Sequence, residues 1–181
     1  MNLKKKYKIP HTESLSEAER HALFTDLWNR YGKRISYFIY TILPSESLYS
    51  DDLFQDVMMK IFENLHLYDR SRPFEVWAYR IVRNRCIDHL RIRQLHEIAD
   101  DTLPDIAGDT ASQVIRSEID DAIRSALNGL EPEDREIAYL RFFGEMSFGE
   151  IAEIMEMNIN TVKTRMTAVK RKLKYQLEGW L

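Results

Sequence analysis

The chain has 181 residues, 44% of them hydrophobic and 30% charged, with six glycines, five prolines and one cysteine. Such a composition supports a packed core and long helices, leaves room for one ordinary domain or two small ones, and excludes an intramolecular disulfide. A net charge of −3 argues, as an average, against binding to nucleic acid.

From the start, Met1 to Lys8 carries positive charge with no apolar stretch behind it, which is not the layout of a secretory signal. Ser14 with Glu17, and Ser16 with Glu19, both have capping-box spacing. Behind them Phe24, Leu27, Trp28, Tyr31, Ile35, Phe38, Ile39 and Ile42 recur at threes and fours, predicting a long amphipathic helix that ends near Pro44. Its most apolar run, Ile35 to Leu43, includes Ser36 and Thr41 and falls well short of the roughly twenty residues of a membrane span.

A second helix is expected from Ser50 to about His66, with Leu53, Phe54, Val57, Met58, Ile61, Phe62 and Leu65 as its apolar arc. Leu67 to Pro73 reads as a loop, and Pro73 suits the first turn of a third helix that runs to about Leu95. Residues 97–111 hold Asp100, Asp101, Pro104, Asp105, Gly108 and Asp109 without a sustained period and read as a linker. A fourth helix is expected over 112–128, and a fifth from Pro132 to about Phe143, closed by Gly144. Two more follow, over about 147–156 and 159–178. No strand pattern competes, so the fold class is all-α.

The charge is partitioned along these elements. Residues 1–96 carry 16 Lys/Arg and 12 Asp/Glu, whereas 97–121 carry one Arg and eight acids. Residues 160–181 hold six bases and one acid. Two basic bodies therefore flank an acidic strap, a pattern the average conceals.

The sharpest local motif is Met146 to Met166. Ser147 and Glu150 form a capping box, Ile151, Ile154 and Met155 supply a buried face, and Ala152 lets a second helix cross closely. After a short turn, Val162, Met166, Val169 and Leu173 mark a buried stripe within roughly 60° of helical arc. The rest of that helix presents Asn160, Thr161, Lys163, Thr164, Arg165, Thr167, Lys170 and Arg171. This is a helix-turn-helix with a basic recognition helix: the cations suit phosphates, and the short Thr and Asn side chains can approach base edges. The plainer alternative is an antiparallel helix pair with a solvated basic face.

On the third helix Phe74, Trp77, Ala78, Ile81 and Val82 share one side, and Arg80, Arg83, Asn84 and Arg91 the other. Arg85 and Asp88 fall toward the apolar side, one turn apart, and could pair there. The loop before it, with Tyr68 and Phe74, is suited to receive an unstacked base, although Phe74 and Trp77 also fit a core.

Taken together, Asp52-Leu-Phe-Gln-Asp-Val57, Phe74 to Asn84 with Asp88 to Arg91, Leu130-Glu-Pro-Glu-Asp-Arg135 and the helix-turn-helix with Asn160 to Arg165 resemble, in order and spacing, the extracytoplasmic-function (ECF) group of bacterial sigma factors. The resemblance covers nearly the whole chain from about residue 20. It implies two small helical domains joined by a flexible acidic linker: 1–96, which binds core polymerase and the minus-ten element; 97–111, the linker; and 112–181, which binds the minus-thirty-five element. It implies core-polymerase contacts through Asp52, Leu53, Gln55 and Asp56, and the helical wheel adds Met59 and Glu63 to that outer face. It implies minus-ten contacts through Tyr68, Arg70, Arg72, Phe74, Arg80, Arg83, Asn84 and Arg91. The recognition-helix residues named above would read the minus-thirty-five element. Core RNA polymerase, promoter DNA and an anti-sigma protein are the implied partners; the single cysteine, Cys86, fits a reducing cytoplasm, the expected location.

Two positions depart from the pattern. Glu156 stands where the family's turn often has glycine, at a cost of about 1 kcal/mol if the backbone there is left-handed. Ala168 stands where arginine is frequent. A stand-alone helix-turn-helix regulator with a sensing or dimerising bundle would not need Asp52–Val57 or Phe74–Arg91, and an interaction scaffold would not need its basic residues. For an enzyme, the five histidines lack metal spacing, Cys86 has no histidine on a matching face, and no glycine loop cradles phosphate. No cofactor is expected.

Overall fold

The computed structural model describes residues 16–43, 50–69, 71–99 and 125–177. The chain divides into two compact units, one of Met1–Ile39 with Asp51–Leu103 and the other of Tyr40–Ser50 with Pro104–Leu181. Every regular element among the described residues is helical.

The first unit is built on α1 (Glu17–Ile42), α2 (Ser50–Glu63) and α3 (Phe74–Ala99), with a short 3-10 turn at Leu65–Leu67. Ser16 caps α1: its backbone N–H and hydroxyl both donate to Glu19 Oε2, at 2.8 and 2.6 Å. These bonds hold the Glu19 carboxyl below its ordinary pKa. The expected Ser14 cap lies outside the described residues. Leu23, Leu27, Tyr31, Ile35, Phe38 and Ile39 are buried along α1 at helical spacing. Val57, Met58 and Ile61 from α2 and Phe74, Val82 and Cys86 from α3 join them in this unit's core. Gly32 is also buried on the side of α1 that faces α2, where a Cβ would meet the Phe54 ring at 3.4 Å, an ordinary van der Waals contact. The third helix runs to Ala99, a few residues past the predicted end; 100–124 lie outside the described residues. With them lies most of the helix expected at 112–128, of which the described turn 125–128 is helical.

In the second unit α4 (Pro132–Phe142) is the central rod, buried from Asp134 to Leu140. Pro132 opens it, as its missing N–H and fixed φ favour. Arg135 is buried because it terminates the preceding helical turn: its guanidinium donates to the carbonyls of Leu127, Asn128 and Leu130 at 3.2 to 3.3 Å. Burial lowers its pKa from the ordinary guanidinium value, yet the carbonyls of a helix end are the natural partners of a cation.

α5 (Phe148–Met155) and α6 (Ile159–Leu177) pack on α4. The predicted Ser147–Glu150 capping box forms, the Ser147 hydroxyl accepting from the Glu150 N–H and the Glu150 carboxylate from the Ser147 N–H. Arg141 clips the α4–α5 turn by donating to the Met146 carbonyl at 2.6 Å while its guanidinium lies over the Phe148 ring.

Candidate functional site

On α2, Asp52, Gln55, Met59 and Glu63 are exposed, Met59 to 49%. They form an acidic surface around one apolar side chain, as expected. Leu53 does not belong to that surface: it is 7% exposed, because it occupies the core stripe with Val57 and Ile61. Asp56 is part-buried and turned toward α3, where it accepts from Arg85 Nε at 2.5 Å. Asp56 is thus the direct partner of Arg85, and Asp88 adds only a weaker Coulombic attraction from one turn away. Residues 56 and 85 meet across two packed helices, whereas Asp88 lies 3.8 Å from Arg91.

The outer face of α3 carries Arg80, Asn84 and Arg91, all exposed, with Arg83 half-exposed. The loop before α3 is a built turn. Asp69 Oδ1 accepts from the Ser71 N–H at 2.9 Å, which lowers the Asp69 pKa, and the Tyr68 hydroxyl donates to the Arg72 carbonyl at 2.6 Å. Arg72 itself is exposed, 3.7 Å from Asp69; Arg70 lies outside the described residues.

Phe74, expected among the DNA contacts, is a core residue at 2% exposure. Its ring meets Tyr31, Tyr68 and Trp77 at centroid separations of 5.0 to 5.6 Å. Tyr68 is buried in the same cluster and presents no open ring face. Aromatic rings at the root of a tight turn gain more from burying one another than from facing water, so these two residues shape the loop from within.

In the second unit α5 and α6 form the predicted helix-turn-helix. Val162, Met166 and Val169 are buried on α6, while Asn160, Thr161, Lys163, Thr164, Thr167, Lys170 and Arg171 are exposed. Glu156 ends α5 at φ 55 and ψ 40, the left-handed conformation raised by the sequence departure. The Met157 N–H then reaches back to the Ala152 carbonyl at 3.0 Å, closing the turn. Asn158 starts α6 by accepting the Asn160 N–H on Oδ1 at 2.9 Å. It was missed as a cap, although an asparagine just before the first apolar residue is a standard signal.

Arg165 differs from its neighbours. Its Nη1 is 2.9 Å from Asp134 Oδ1 and its Nη2 2.5 Å from Glu133 Oε2, both on the first turn of α4. Also missed was an apolar groove lined by Leu127, Phe142, Phe143, Leu173 and Leu177 and rimmed by Lys170 and Lys174. The signal was the Phe142-Phe143 pair at a helix end, each half-exposed.

The described residues hold no helix long and apolar enough to cross a membrane and no cluster of three or more potential metal ligands.

Comparison with known proteins accounts for both units. The Sigma-70 region 2 family profile matches residues 27–95, and that of Sigma-70, region 4 matches residues 120–173. The RNA polymerase sigma factor SigZ of Bacillus subtilis (strain 168) is 32% identical over 157 residues, 85% of this chain and 86% of that protein. The ECF RNA polymerase sigma factor SigW of the same organism is 26% identical over 172 residues, 85% and 88% of the two chains. Among solved structures, the sigma factor RpoE of Bartonella quintana, co-crystallised with the anti-sigma factor NepR, shares the fold with a TM-score of 0.73 at 22% identity, over 86% of this chain and 96% of RpoE. CnrH in complex with the cytosolic domain of CnrY gives a TM-score of 0.63 at 22% identity, over 90% and 94%. With both sigma-70 regions matched in order, and a relative at this identity spanning most of either chain, the protein belongs to the RNA polymerase sigma factor family, in its extracytoplasmic-function (ECF) group.

Proposed function

We propose that this sigma factor binds core RNA polymerase through the exposed face of α2 and reads a promoter with two separate helical faces. Asp52, Gln55, Met59 and Glu63 form the docking surface, an apolar anchor in an acidic rim. Asp56 supports that surface through its bond to Arg85. Arg80, Arg83 and Arg91 hold the strand backbone near minus ten, and Asn84 reads a base there. Arg72 adds a cation to the base-capturing loop, with Arg70 beside it in sequence, and Tyr68 and Phe74 shape the loop. Asn160, Thr161, Lys163, Thr164, Thr167, Lys170 and Arg171 read the minus-thirty-five element.

The observation that carries this reading is the helix-turn-helix face, where three apolar side chains are buried and a mainly polar and basic face lies outward. A helix so oriented enters a major groove without rearranging its core.

The readers are proposed to occupy 1–96 and 112–181, with 97–111 as the tether. Eight acids and one arginine in 97–121 give the tether region the charge to run through the polymerase's nucleic-acid channels. Each reader alone binds weakly; held on one enzyme, the second binds at a raised effective concentration. Bond-making and bond-breaking belong to the polymerase, and the chain works in the cytoplasm. The complexes of RpoE with NepR and of CnrH with CnrY support an anti-sigma protein as its restraint.

Run-off transcription with purified core polymerase, with and without this chain, tests the reading. Initiation at defined start sites that depends on the chain is expected. Failure either to join core enzyme or to direct initiation would overturn it.

A further inference from the structure

We propose that Arg165, although it lies on the recognition helix, is a positioning residue that locks this helix to the start of α4 and makes no contact with DNA. The proposal rests on the reading of α6 as the minus-thirty-five reader and refines it. The Arg165 guanidinium is divided between two carboxylates, Glu133 Oε2 at 2.5 Å and Asp134 Oδ1 at 2.9 Å. The Asp134 side chain is 9% exposed and Arg165 36%, so the bond lies against the protein body. On the helical wheel Arg165 stands roughly 70° from the centre of the buried stripe, whereas Asn160, Thr164 and Arg171 stand roughly opposite that stripe. Arg165 therefore flanks the core side.

Charge points the same way. One guanidinium against two carboxylates leaves a net negative cluster, which repels phosphate. The carboxylates are at home in the first turn of α4, where the helix dipole favours acids. Arg165 keeps N–H donors beyond the two bonds to the acids, but swinging the guanidinium outward to grip a phosphate would break those bonds and leave the nearly buried Asp134 unpaired, a costly exchange. The bonds also hold Arg165 more firmly protonated than an ordinary guanidinium.

Val162, Met166 and Val169 fix the depth of α6 on the core, but an apolar stripe resists sliding and rolling weakly. The two directional bonds to α4 supply that lateral constraint. Direct readout by Asn160, Thr161 and Thr164 depends on where α6 sits relative to the DNA.

The test uses holoenzyme, full-length chain with core polymerase, binding a promoter fragment over a range of salt concentrations. Arg165→Ala, Arg165→Lys and Asp134→Asn are compared with wild type, with thermal melting as the folding control. Arg165→Ala is expected to weaken binding about tenfold, because a small misplacement of a reading group is enough to do so. The slope of log K against log salt should stay unchanged, and Arg165→Lys should recover part of the loss. Asp134→Asn should also weaken binding, although removing a negative charge near DNA would, by electrostatics alone, tighten it. A slope reduced by about one in Arg165→Ala, or tighter binding by Asp134→Asn, overturns the proposal and leaves the sigma-factor reading standing. Wild-type holoenzyme that engages no promoter overturns both.

Discussion

Asp56 and Arg85 join α2 to α3 through a hydrogen bond from Nε to Oδ2 at 2.5 Å, with each side chain a little over two-fifths exposed. The bond ties the proposed polymerase-docking helix to the helix proposed to read the minus-ten element. Solvent screens a pair this open, so Asp56→Asn should cost about 0.5–1 kcal/mol in urea unfolding. Asp56→Arg should cost more, since it places two guanidiniums together. Loss of polymerase binding in an Asp56 variant therefore mixes docking with stability. Asp52→Arg and Met59→Glu change exposed positions. They should abolish co-purification with core enzyme at little cost in stability, Asp52→Arg lowering it by no more than about 1 kcal/mol because Asp52 sits in the first turn of α2. Normal co-purification of both would rule out the α2 surface as the docking site.

Asn84 is exposed on the same face of α3 as Arg80 and Arg91. Its amide can donate and accept toward one base, which the guanidiniums cannot. Asn84→Ala should leave the melting temperature unchanged within error and narrow the gap between preferred and substituted minus-ten promoters by about 1–3 kcal/mol, as expected for one lost base contact. Run-off transcription from a panel of minus-ten variants measures this gap. A uniform fall across the panel would make Asn84 a general backbone contact.

Gly144 ends α4 for a steric reason. Its φ is not positive; a Cβ there would meet the Leu140 carbonyl oxygen at 2.6 Å. The left-handed residue of this turn is the next one, Glu145, at φ 53. Gly144→Ala should therefore destabilise the second unit by about 1–3 kcal/mol through forced backbone shifts. Glu145→Gly should not destabilise it, and thermal melts of the two variants separate steric need from conformational need.

The helices were legible because their signals are local: apolar residues at threes and fours, Ser147 with Glu150, Pro132 at a helix start. The exposed recognition face was legible for the same reason, since a wheel sorts polar from apolar without knowing what lies across from it. Cross-helix partners were not. Arg85 has Asp88 one turn away in sequence, but helix packing brings Asp56 nearer. Arg165 looks like any other base on a basic helix until α4 places Asp134 beside it. The burial of Tyr68 was not legible either, because nothing local says that a loop aromatic turns inward to meet Phe74 and Trp77, whereas the apolar side of the third helix already included Phe74. Glu156 stands where the family's turn often has glycine, and its backbone is left-handed.

That residue carries the most direct stability prediction. Glu156 holds φ 55 with a side chain that crowds the backbone, at a cost of about 1–2 kcal/mol relative to glycine in the left-handed region. Its carboxylate also stands at the end of α5, where the helix dipole favours cations. Glycine gives back part of this gain through the greater freedom of its unfolded chain, about 0.4–1 kcal/mol. The Glu156 side chain also takes part in an interaction that glycine would remove, so Glu156→Gly should change the stability of the second unit by no more than about 1 kcal/mol, measured by chemical denaturation of the full chain. Because Glu156 makes no part of the proposed reading face, promoter selectivity in holoenzyme should be preserved. A loss of stability would mean that the Glu156 side chain contributes an interaction exceeding its backbone strain. Altered selectivity with unchanged stability would mean that the turn itself sets the angle at which α6 meets DNA.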